Sequence, residues 1–109
     1  MSEQQQQLVD VGALDELEPG TAMRVDIEGR RIALVRIDDD VYAIGDRCTH
    51  ADVSLSEGEV DVAERTIECG RHGSQFSLET GAPLSLPATK PTPTYDVVVR
   101  DGRILVGVR

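Results

Sequence analysis

Apolar and polar residues alternate in short runs of about four to eight residues, the length and period of half-buried β-strands, with Gly, Asp or Pro between them. Residues 22–28 and 31–37 read as two strands joined at Glu28-Gly29-Arg30, and Asp38 to Asp40 make a second polar turn into a strand over 41–44. At the other end, residues 95–100 and 103–108 flank Asp101-Gly102, a dipeptide that accepts the positive φ angles of a tight hairpin turn. Leu8, Val9, Val11 and Leu14 suit a short edge strand leading into Asp15-Glu16-Leu17, a turn ahead of Pro19-Gly20. No stretch keeps a helical period beyond two turns, and there is no internal repeat or domain boundary. The expectation is an all-β fold in one domain spanning 1–109, with residues 1–7 a flexible polar N-terminus that includes Gln4 to Gln7.

Composition adds limits. A chain of 109 residues with only Tyr42, Phe76 and Tyr95 as aromatics has a modest core, and a bound group would help hold it together. The longest pure aliphatic runs, 32–35 and 97–99, are strand-sized and far short of the roughly 18 residues expected of a membrane-spanning helix. The N-terminus has no basic-then-apolar export signal, so a cytoplasmic monomer without a membrane partner is expected. Twenty acidic against 11 basic residues, a net charge of −9, would repel nucleic acid. The charge either keeps the protein soluble or steers it to an electropositive partner. Asp46, Asp52, Glu57 and Glu59 flank one cysteine segment, while Arg47 and Arg71 mix the charge at the rim.

The chemistry is concentrated in Cys48-Thr49-His50 and Cys69-Gly70-Arg71-His72, which contain every cysteine and histidine of the chain and lie 18 loop-like residues apart. Two thiolates and two imidazoles make a four-ligand metal set. Zinc accepts these residues, but common zinc fingers group cysteine with cysteine, whereas here each segment offers one of each. That mixed pairing fits a two-iron centre in which each segment gives one ligand to each metal. A thiol nucleophile would leave the second pair idle, and Ser74 beside His72 lacks the Gly-x-Ser-x-Gly elbow of a serine hydrolase.

The run Cys69-Gly70-Arg71-His72-Gly73-Ser74-Gln75-Phe76 resembles the second ligand loop of the Rieske ferredoxin family, and Cys48-Thr49-His50 resembles its first. The likeness extends through residues 45–55 and 80–88 and covers the chain from about Val41 onward. It implies small antiparallel sheets with a cluster-binding subdomain formed by two ligand loops, and one [2Fe-2S] cluster per chain. Cys48 and Cys69 would bind the inner iron, His50 and His72 the outer, and Ser74 would donate to a bridging sulfide. High-potential relatives carry a further cysteine where this chain has Val53 and Arg71, and a tyrosine in place of Phe76. Fewer donors to the sulfurs lower the potential, toward the bottom of the family range of about −150 to +300 mV. Gly70 and Gly73 would permit close approach to the cluster, Gly45 reads as an ordinary turn, and Leu84, Ser85 and Leu86, between Pro83 and Pro87, are candidates to shield it.

The resemblance implies no catalytic residue and no enzyme activity of the chain's own. It implies an electron carrier between an NAD(P)H-dependent flavin reductase and a non-haem iron oxygenase. Two alternatives stand beside it: a redox accessory to iron-sulfur cluster assembly, suggested by the run from His72 to Pro91, and a Cys2His2 structural zinc module.

Overall fold

Among the residues that the computed structural model describes, 7–47, 54–70, 73–85 and 90–108, nine strands form two antiparallel sheets. They are β1 (Gln7–Ala13), β2 (Ala22–Ile27), β3 (Arg30–Ile37), β4 (Asp40–Gly45), β5 (Glu59–Asp61), β6 (Thr66–Glu68), β7 (Gln75–Ser77), β8 (Thr94–Arg100) and β9 (Arg103–Val108). Six of them form one sheet in the order β1-β9-β8-β4-β3-β2, and β5-β6-β7 form the other. The all-β expectation holds.

Strand parity explains the core. Successive side chains of a strand point to opposite faces. On β3, Ala33, Val35 and Ile37 enter one apolar cluster with Ile44, Leu55, Ile67, Cys69, Phe76 and Leu78. Ile32 and Leu34 enter another with Leu17, Ile27, Ala43, Ile104 and Val106. The strand is therefore a wall shared by two cores, which is why Ile32-Ala33-Leu34-Val35 reads as an unbroken apolar run rather than an alternating one. Each large side chain so buried contributes about 1.5–3 kcal/mol. Because Cys69 and Phe76 belong to the first cluster, the small sheet is seated on the large one through the residues that begin and follow the second Cys/His segment.

The hairpin turns follow their dipeptides. Glu28 and Gly29 both take positive φ, 51° and 82°, and Asp101 and Gly102 take 53° and 76°, so each two-residue turn matches the right-handed twist of its strands. The ambiguous start of the chain is an edge strand, β1, followed by a 3₁₀ turn at Leu14–Glu16. Gln7, expected in a flexible end, is instead paired with Val108; residues 1–6 lie outside the described residues. The stretch between the two Cys/His segments is not simply loop: it holds a 3₁₀ turn at Leu55–Glu57 and strands β5 and β6. Strands of three residues are too short to show a period, so only pairing with β7 reveals them.

Candidate metal centre

Each Cys/His segment grows from a loop whose base is pinned by backbone. The first leaves β4 at Gly45. Arg47 and Ser54 face each other in an isolated antiparallel bridge, and the Asp46 carbonyl accepts the Leu55 N–H. Asp46 fastens the same base twice more: its N–H donates to the Arg31 carbonyl at 2.9 Å, and its Oδ1 accepts the Ser56 N–H at 2.8 Å. The second loop leaves β6 at Cys69. Cys69 N–H donates to the Ser74 carbonyl at 2.7 Å, and Gly73 N–H returns to the Cys69 carbonyl at 3.0 Å, with Gly73 at φ 76° making the reversal. Leu55 and Cys69, one at each base, lie in the same apolar cluster above Phe76, so the two loops rise from common ground. Of the expected ligands the structure describes Cys69; Cys48, His50 and His72, like Val53, Arg71, Leu86 and Pro87, lie outside the described residues.

The third loop is tied to the second. Phe76 bridges Pro83, Leu84 N–H donates to the Gln75 carbonyl at 2.6 Å, and the Ser85 hydroxyl accepts the Gln75 N–H at 2.9 Å while standing 3.5 Å from the Gly73 carbonyl. Ser85 thus seats this loop. Leu84, a candidate to shield the centre, is 56% exposed.

Two expectations change. Gly45 is no ordinary turn: it is the buried last residue of β4, and a Cβ there would stand 2.5 Å from Thr92 Oγ1 and 3.0 Å from Pro93 Cδ. Thr92, itself buried, donates its N–H to Gly81 and its hydroxyl to Gly45, at 2.9 and 3.3 Å, and so joins the stems of the first and third loops. Gly70 meets no described atom within 4 Å where a Cβ would sit, so close approach to protein atoms is not its reason. Asp46, expected with Asp52 and Glu57 as a surface charge for docking, is fully buried, and its Oδ2 has no hydrogen-bond partner among the described residues. Glu57 and Glu59 are exposed as expected, and Asp52 lies outside the described residues.

Thr92 and Arg65 are the residues that sequence reasoning missed, and Asp46 the one it assigned to the surface. Arg65, in the turn between β5 and β6, donates to the Tyr42 hydroxyl at 2.6 Å and to Asp40 at 3.1 Å, strapping the small sheet to β4. The bond to Tyr42, and then that to Asp40, holds its guanidinium above the ordinary value. The only signal in the sequence was Arg65 as the single base among the carboxylates of 57–68.

The one described candidate ligand fits an iron-sulfur centre: Cys69 is a free thiol, fully buried, at the foot of a pinned loop. No group of three or more His, Cys, Asp or Glu side chains is placed to hold a metal ion among the described residues, so nothing there competes with the two Cys/His segments. Fold and site together define a small antiparallel β protein that presents two fastened loops from one core, each with one cysteine and one histidine. Comparison with known proteins then gives the family. The Rieske [2Fe-2S] domain matches residues 7–96. A 3-phenylpropionate/cinnamic acid dioxygenase ferredoxin subunit of Photorhabdus laumondii subsp. laumondii is 43% identical over 98 residues, covering 90% of this chain and 91% of the relative. The solved ferredoxin of carbazole 1,9a-dioxygenase from Nocardioides aromaticivorans IC177 superposes with a TM-score of 0.91 at 40% identity, covering 94% of this chain and 98% of that one. A ferredoxin solved in complex with the reduced oxygenase of carbazole 1,9a-dioxygenase gives 0.85 at 40% identity, with 92% of each chain covered. The chain belongs to the Rieske [2Fe-2S] domain family.

Proposed function

We propose that this protein is the ferredoxin of a multicomponent oxygenase, a monomeric cytoplasmic carrier that takes single electrons from an NAD(P)H-dependent flavin reductase and delivers them to a terminal non-haem iron oxygenase. The observation that carries this reading is the nearly end-to-end match, at 40% identity or more, with ferredoxins of two dioxygenase systems, one of the similar solved chains being bound to its oxygenase. Cys48 and Cys69 would hold one iron of a single [2Fe-2S] cluster, and His50 and His72 the other. When bound, the cluster supplies a reversible one-electron step.

What the chain contributes is rigidity and dryness. Asp46, Ser74 and Thr92 fasten the loop stems through the hydrogen bonds described above, so the stems need not rearrange when charge changes. Phe76, Ile67 and Leu55, all fully buried, exclude water beneath the loops. Ser74, buried beside Cys69, would lend its hydroxyl to a sulfide.

Purification with ample iron tests the reading. The protein should be red-brown, with two irons and two labile sulfides per chain and a rhombic signal on reduction. Added to an oxygenase of aromatic substrates and its reductase, it should support product formation at a rate proportional to its concentration. Stoichiometric zinc in place of iron would sink the proposal; a cluster that is reduced but serves only cluster-assembly partners would move it to the accessory role.

A further inference from the structure

Two strands deliver the Cys/His segments. β4 runs from Asp40 to Gly45 and leads to Cys48, and β6 runs from Thr66 to Glu68 and leads to Cys69. Both are seated in the first apolar cluster, where Ile44 of one and Ile67 of the other are fully buried. Apolar contact is non-directional: it holds the sheets together without fixing the angle between them. At the loop end of these strands, direction comes from the hydrogen bonds of Asp46 and Thr92. At the other end the tie is Arg65, the residue just before β6, which donates to the Tyr42 hydroxyl on β4 at 2.6 Å and to Asp40, the first residue of β4, at 3.1 Å. Its guanidinium carbon also lies 5.8 Å from the centre of the Tyr42 ring, within cation–π range. Asp40 is exposed and its pairing adds little, so the part-buried bond to Tyr42 is the main one. Arg65 holds φ at 55°, a left-handed conformation that glycine would take at less cost, so the turn alone does not call for an arginine.

We infer that Arg65 is a positioning residue for the metal centre: by joining the far ends of β6 and β4 it fixes the angle between the strands that carry the two ligand segments. The lever is short and the tolerance narrow. Cys69 stands four residues after Arg65. In extended chain that is about 13 Å, so a tilt of about 1° at Arg65 moves Cys69 by about 0.2 Å, the margin within which metal–ligand distances are held. Loss of the strap therefore alters the centre before it unfolds the protein. The inference rests on the centre proposed above.

The test compares the cluster-loaded parent with Arg65→Met, Tyr42→Phe and Arg103→Met. Arg103→Met is the control, because it removes a two-bond pair with Asp10, at 2.9 and 3.0 Å, that joins β1 to β9, strands that lead to no ligand segment. The readouts are the g values of the reduced cluster, which a merely stabilising contact does not move, and the rate of bleaching in a chelator. Arg65→Met should shift the g values beyond the parent's linewidth and bleach about tenfold faster, the factor that a hydrogen bond to a charged group is worth. Tyr42→Phe should show the same change in smaller measure, and Arg103→Met should keep the parent's spectrum. A loaded Arg65→Met protein with the parent's g values would overturn the inference, as would an equal shift in Arg103→Met. If Arg65→Met folds by far-ultraviolet circular dichroism but does not load while Arg103→Met does, the inference stands; if it does not fold, Tyr42→Phe decides by the same comparison of g values. A parent that takes up zinc refutes the carrier reading alone, and the strap is then read from zinc release, faster in Arg65→Met and unchanged in Arg103→Met.

Discussion

Replacing Gly58 by alanine tests whether the second ligand loop is held by direct backbone contact with the end of the first. Gly58 has φ −86° and ψ −178°, values open to any residue, so the substitution carries no dihedral penalty. What excludes a side chain is the neighbouring strand. A Cβ would stand 2.9 Å from the carbonyl carbon of Glu68, nearer still to its oxygen, and 3.3 Å from the Leu55 carbonyl oxygen. These are main-chain atoms and cannot swing aside. Carbon contacts settle at about 3.5–4.0 Å, so β5 must draw away from β6 by more than half an ångström, straining the Glu59–Glu68 and Val60–Ile67 pairs. Overpacking of this kind costs about 1–3 kcal/mol, and a weakened ladder bond about 0.5–1.5 more. Against a total stability of about 5–15 kcal/mol that is a large loss. Since Glu68 precedes Cys69, the displacement also passes into the ligand loop. Urea unfolding of the loaded protein, followed by far-ultraviolet circular dichroism and visible absorption, should show Gly58→Ala destabilised by about 2–4 kcal/mol with earlier bleaching. Gly29→Ala is the control: its φ of 82° penalises a side chain but nothing lies within 4 Å, so it should cost about 1–2 kcal/mol and leave the visible spectrum unchanged. A Gly58→Ala protein within about 0.5 kcal/mol of the parent would refute the reasoning.

Ser74→Ala should lower the reduction potential with iron content unchanged, read by film voltammetry; a raised potential would mean that the hydroxyl serves only the turn. Arg65→Met should lower the urea midpoint of unfolding, and in a double-mutant cycle most of the loss should vanish in a Tyr42→Phe background. Glu57 and Glu59, exposed beside the first loop, should steer encounter with an electropositive partner. Reversing both to Lys should slow electron exchange at low salt and converge with the parent above about 0.15 M, where the Debye length is about 8 Å; parallel salt curves would leave them as solubilising surface.

Much of this molecule is legible in one dimension because the physics involved is local. Glu28-Gly29 and Asp101-Gly102 announce their hairpins, since positive φ is a property of one or two residues, and β2, β3, β4, β8 and β9 announce themselves because apolar-rich runs of strand length bounded by turn residues are visible without a partner. The two Cys/His segments point to a metal by residue type and spacing alone. Contacts between distant residues are not written that way. Strands β5, β6 and β7 have three residues each and exist only through one another, and whether β3 faced one core or two depended on what packed on each side. Gly45, read as a turn, is a glycine because Thr92, 47 residues later, donates its hydroxyl to Gly45's carbonyl and leaves no room for a Cβ. Asp46 shows the limit most clearly. In sequence it is one more carboxylate in an acidic chain, next to Arg47 and assigned to the surface; in the fold, bonds to Arg31, Leu55 and Ser56 draw it inside. A carboxyl group is a property of the residue, but the cost of placing it depends on the surrounding water, and only the tertiary structure decides where the water ends.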